Sequence, residues 1–175
     1  MAERPKWHKP PKYQLGFDFG QRPLDPSAVD DLRFTYAVKE EVKVRTPADA
    51  GQYLLTRVFT PFAAFDQEEV WVLLLNNQNL ITHQSMIYRG TINMVHMRIS
   101  EVFKPAIRWN AVGIVLSHSH PSGDPSPSPE DIAVTQALYT AGKLLQVDVL
   151  EHIIVGRDCW RSLKHLGVGF EETPD

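Results

Sequence analysis

Apolar residues are spread without period through positions 1–33 and become regular from Phe34 onward. The first stretch carries Pro5, Pro10, Pro11, Pro23 and Pro26 among scattered charges, a composition that predicts an extended or disordered arm. Phe34-Thr-Tyr-Ala-Val38 and Val42-Lys-Val44 then have strand character, and Thr46-Pro-Ala-Asp49 opens a helix expected to run to Phe59. Val70-Trp-Val-Leu-Leu-Leu75 is a short, dense apolar run and predicts a buried strand. Asn76-Asn-Gln-Asn79 stops it, and Leu80-Ile-Thr-His-Gln-Ser-Met-Ile-Tyr88 returns as the second arm of a hairpin.

Residues 100–109 predict a helix that Pro105 either bends or begins, since proline lacks the N–H of an interior helical position. Ala111-Val-Gly-Ile-Val-Leu116 predicts a second buried strand. Ile132, Val134, Ala137, Leu138, Ala141, Leu144 and Leu145 fall at helical spacing and mark a long helix. Residues 147–155, the turn at Gly156-Arg-Asp158, and residues 159–163 predict a closing hairpin. Strands interleaved with helices, yet joined partly by hairpins, specify an α/β or α+β fold with a mixed sheet flanked by helices. One domain over 34–175, preceded by the arm over 1–33, is the expected organisation.

With 175 residues, 43% of them hydrophobic, the chain can bury one core but is short for two. Its formal net charge of −3 supplies no basic field of the kind that holds proteins on phosphates, so nucleic acid is not the favoured partner. The arm is locally different: Arg4, Lys6, Lys9 and Lys12 surround Trp7 and Tyr13, a pattern that suits nucleic acid or a partner groove as well as a plain solvated tail. Cys159 is the single cysteine, which excludes an intrachain disulfide and a thiolate zinc cage. Beside Trp160 it is expected to behave as a small core residue. No apolar run approaches the roughly 18 residues of a membrane span, and positions 1–11 are too polar for a signal peptide. A soluble protein of the reducing cytoplasm is expected.

Candidate chemistry sits where the second buried strand ends. His118 and His120 are two apart, and alternate strand residues share a face, so both imidazoles can grip one Zn²⁺. A catalytic zinc takes a third protein ligand and keeps one position open; Asp131, in the first turn of the long helix, is the candidate. Ser128-Pro-Glu-Asp131 has a second reading as a helix cap, and Thr46-Pro-Ala-Asp49 has the same form with no histidine pair before it. A metal-dependent hydrolase also needs a base to shuttle the proton of water. Glu68 and Glu69 both stand at the entrance of the Val70 strand, and only one of two successive strand residues can face the site. The residues alone leave that choice open.

His118-Ser-His120-Pro-Ser-Gly123, with Ser128 eight residues after His120 and Asp131 three further on, resembles the JAMM metalloprotease signature in the RadC-like branch of the JAB/MPN superfamily. Arg89-Gly-Thr91, Glu101-Val-Phe-Lys-Pro-Ala-Ile107, Thr135 and Glu151-His-Ile-Ile-Val-Gly156 are similar to that branch as well. The resemblance implies a cytidine-deaminase-like domain in which His118, His120 and Asp131 hold zinc. It further implies Glu68 as general base, Ser128 as the hydroxyl supporting an oxyanion, and a peptide or isopeptide substrate, with a ubiquitin-like tail as one form of it.

The chain departs from the branch at Ser119, usually Asn, at Arg98-Ile-Ser-Glu101, usually His-Pro-Arg-Glu, and at Glu151, usually Asp. Ser119 is expected to change a loop hydrogen bond, and Glu151 and His152 to act on the site from behind the ligands. The helix-hairpin-helix module that often accompanies the branch has no counterpart in residues 1–67. An alternative implied by the name of the branch is an accessory role in DNA repair or in mobile elements. His83 and His165 are expected to stand apart from the site.

Overall fold

The computed structural model of the chain describes residues 34–90 and 97–171. The arm over 1–33, with its basic and aromatic residues, and Thr91 of the Arg89-Gly-Thr91 motif lie outside the described residues.

Six strands form one sheet in the order β1-β3-β2-β4-β5-β6. They are β1 Thr35–Ala37, β2 Glu68–Leu75, β3 Ile81–Gly90, β4 Gly113–Ser119, β5 Asp148–Gly156 and β6 Cys159–Ser162. Among the described strands only β4 and β5 run parallel, so the sheet is mixed. The parallel step needs a crossover, and α3, Pro129–Leu145, provides it. The other helices are α1 Pro47–Tyr53, α2 Ile99–Arg108 and α4 Leu163–Leu166.

Both faces of the sheet are covered, which explains why β2 and β4 read as continuous apolar runs. Val70, Val72, Leu74, Ile114 and Leu116 face α2 and α3, where they meet Val102, Phe103, Ala106, Val134 and Leu138. Trp71, Leu73, Leu75 and Val115 face the other way, onto Ala50, Tyr53, Leu54, Val58 and Phe59. Each fully buried leucine or valine contributes about 1.5–3 kcal/mol, so these two cores hold the central strands firmly in register.

Several expectations are corrected. Val42-Lys-Val44 is no strand, making only the single bridge Lys43 to Leu80. The helix opened by Thr46 is α-helical only to Tyr53 and continues to Val58 as a π-helical turn. Pro105 lies inside α2, which runs on to Arg108; the ring is buried, and that burial offsets part of the lost hydrogen bond. In α3 the buried stripe runs through Asp131, Val134, Thr135, Leu138 and Gly142, while Leu144 is 84% exposed. Two polar residues therefore lie on the helix face that the apolar pattern alone would give to the core. Cys159 is exposed on the edge strand rather than buried.

Candidate metal centre

His118 is the penultimate residue of β4, which lies between β2 and β5. Its imidazole points to the α2 and α3 side of the sheet and is fully buried. His120 follows the strand end, where its N–H donates to Val155 O at 2.9 Å and so extends the ladder with β5. The following loop is stitched to the β5-β6 turn, with Gly123 O accepting from Arg157 N at 3.0 Å. Gly156 permits this approach, since any Cβ there would collide with the Gly123 carbonyl.

Asp131 closes the group from α3. His118 Nε2 lies 3.2 Å from Asp131 Oδ1 and 2.9 Å from His120 Nε2, and His120 Nε2 lies 3.7 Å from Asp131 Oδ2. One ligand atom from each of the three residues falls within 4.8 Å of the others. Three Lewis-basic atoms gathered this closely form a group that could hold a metal ion. His120 Nδ1 is 2.8 Å from Asp124 O, a carbonyl that can only accept, so Nδ1 carries the hydrogen and Nε2, which faces His118 and Asp131, keeps its lone pair. Two imidazole nitrogens and one carboxylate oxygen form a donor set that suits zinc with a position left open.

The electrostatics agree. Burial would raise the Asp131 carboxyl, but the imidazoles of His118 and His120 close beside it outweigh that and hold the group far below the carboxylate range. The same Asp131 contact is the main cause that pushes His120 upward.

Ser128 caps α3 through a reciprocal pair: Asp131 N donates to Ser128 Oγ at 3.1 Å, and Ser128 N donates to Asp131 Oδ2 at 2.8 Å. The serine hydroxyl also donates to Oδ2, at 2.6 Å. Cap and candidate ligand are thus not competing readings of Asp131, because Oδ2 serves the helix while Oδ1 faces His118. In the corresponding quartet Asp49 uses Oδ2 in the same manner, with no imidazole near its other oxygen among the described residues.

Glu68 shares the site face. Val70 pairs with His118, so Glu68, two residues before Val70, sits on the same side of the sheet. Burial is the main cause that raises its carboxyl, against the pull of His118 and His120, and Asp131 adds a smaller push upward. Glu69 faces away: its Oε2 accepts from Trp71 Nε1 at 2.8 Å and its Oε1 lies 3.4 Å from Arg89 Nε.

The departures from the branch now have addresses. Ser119 Oγ accepts from Glu69 N at 3.2 Å, tying the start of β2 to the end of β4 rather than bonding within the loop. Arg98 pairs with Glu101 at 3.7 Å on the exposed start of α2. Glu151 was expected behind the ligands and is not there: it points to the opposite face, where Ser162 Oγ donates to it at 2.7 Å. His152 does stand behind a ligand, with its Nε2 2.9 Å from His118 Nδ1. His83 stacks on Trp109 at 4.4 Å, and His165 closes α4, so neither joins the group.

A mixed sheet covered on both faces, with His118 and His120 at the end of β4 and Asp131 of α3 forming a group that could hold a metal ion, is consistent with a JAB-type domain. Residues 44–168 match the family model described as RadC-like JAB domain, and the chain belongs to that family. A UPF0758 protein of Chloroflexus aurantiacus is 39% identical over 135 residues, 77% of this chain and 57% of the relative. One from Chloroflexus aggregans is 40% identical over the same shares, and one from Desulforudis audaxviator is 41% identical over 71% of this chain and 53% of the relative. The chain therefore spans little more than half the length of the curated relatives it matches. No helix among the described residues is long and apolar enough to cross a membrane.

Proposed function

We propose that the chain is a JAMM-type zinc hydrolase of the cytoplasm that cleaves a peptide or isopeptide bond in a protein substrate. The observation that carries this reading is the convergence of His118, His120 and Asp131 with Glu68 on the same face of the sheet. Zinc held by the three ligands would supply Lewis acidity, polarising a carbonyl and lowering the pKa of water to about 7.

Glu68 accepts the proton of the attacking water and returns it to the leaving nitrogen. Partial burial suits this task, because a raised carboxyl pKa brings the base closer to the working pH. Ser128 is the hydroxyl within reach of a developing oxyanion. Its hydroxyl donates to Asp131 Oδ2, so it serves substrate only after turning from that carboxylate.

The test is an incubation of zinc-loaded protein with a proteome-derived library of folded proteins and peptides, read by mass spectrometry for new termini. Cleavages made by the native chain and absent with Glu68→Gln are expected. Identical products from both, or none from either, would overturn the reading.

A further inference from the structure

His120 reaches a backbone carbonyl directly, whereas His118 reaches one through two side chains. Thr135 Oγ1 contacts both Asp131 O and His152 Nδ1, and His152 Nε2 contacts His118 Nδ1. The hydrogens along this row can be placed by elimination. A carbonyl only accepts, so the threonine hydroxyl donates its single proton to Asp131 O. Its oxygen is then the acceptor for His152 Nδ1–H. A neutral His152 with hydrogen on Nδ1 has a lone pair on Nε2, which accepts from His118 Nδ1–H. His118 is left with its lone pair on Nε2, the nitrogen that faces Asp131 and His120.

We propose that Thr135 and His152 are positioning residues that fix His118 in the tautomer able to ligate, through a row of hydrogen bonds anchored on the main chain of Asp131. The inference rests on the metal reading above. Both residues are fully buried, and neither is one of the three whose ligand atoms converge. The row begins on the backbone of one ligand and ends on the ring of another, so that the helix turn carrying Asp131 dictates which nitrogen of His118 is free. Reversing any member would aim an N–H at the ion.

Thr135→Val keeps volume and removes the hydroxyl; Thr135→Ser restores it. Zinc affinity is measured by competition with a chromophoric chelator, alongside thermal unfolding of the metal-free proteins to confirm the fold. Thr135→Val is expected to lose affinity on the order of 10- to 100-fold, the usual effect of removing a group behind a ligand, while Thr135→Ser retains it. Two-bond proton–nitrogen spectra of the native protein, recorded with and without zinc, should show both His118 and His152 with hydrogen on Nδ1. Equal affinities for the valine and serine variants, or a native His152 with hydrogen on Nε2, would overturn the proposal. Native protein that binds no zinc would instead sink the metal reading, and the metal-free spectrum would still decide the order of hydrogens.

Discussion

Val70 lies directly opposite His118 in the ladder between β2 and β4, and this pairing fixes which of two adjacent glutamates faces the ligands. Glu68→Gln should keep zinc and lose turnover by roughly 10²- to 10⁴-fold, the usual contribution of a general base. Glu69→Gln should retain turnover and lose stability, since Glu69 partners Trp71 and Arg89. Steady-state rates with metal content for both variants decide the matter; an inactive Glu69→Gln beside an active Glu68→Gln would place the base on the wrong face.

Metal analysis of protein purified without chelator should find about one zinc per chain, because a preformed set of three ligands binds tightly. His118→Ala and Asp131→Ala should each abolish it. Native protein free of metal and refractory to loading would count against the whole assignment.

Ser128→Ala and Thr46→Ala remove the same kind of cap, each expected to cost on the order of 1 kcal/mol in denaturant unfolding. Only Ser128→Ala should also weaken zinc binding, because its hydroxyl steadies the carboxylate whose other oxygen faces His118. Equal zinc affinities in the two variants would show that the cap and the ligand act independently.

Burial pushes the Glu151 carboxyl up, although the Ser162 hydroxyl and the charges of Lys164 and His165 pull against it. A carboxyl raised in the folded state favours folding below its unfolded pKa, about 4.3, and that contribution is lost as pH climbs through the folded value. Glu151→Gln does not titrate there. Its stability relative to the native chain should therefore rise across that window and level off above it, in urea unfolding of chelator-treated protein. A difference falling with pH would contradict the sign.

Much of this architecture was legible in residue order. The double-sided burial of β2 and β4 is written in their unbroken apolar runs, and both caps in their Ser/Thr-Pro-x-Asp form. The π-helical turn after Tyr53 was not legible, because it differs from the helix before it by one extra residue per hydrogen-bonded turn, as in Phe59 N donating to Leu54 O, which no apolar pattern marks. Glu68 and Glu69 were indistinguishable in isolation, since strand register is a tertiary property. Asp131 looked like either a cap or a ligand because composition does not resolve one carboxylate oxygen from the other. His152, among apolar neighbours, was expected behind the ligands and stands there beside His118, whereas nothing in residue order marked its contact with Thr135. Glu151 misled for a related reason: one step along a strand carries a side chain to the far face.

The two histidines are anchored very differently. His118 belongs to a strand hydrogen-bonded on both sides, the kind of segment at the high end of local stability, whereas His120 stands at the mouth of a proline-rich loop. Release of a bound ion would therefore be an event of the loop: its half-life would follow the opening of residues 121–128, with His120 the first ligand to let go and His118 the last.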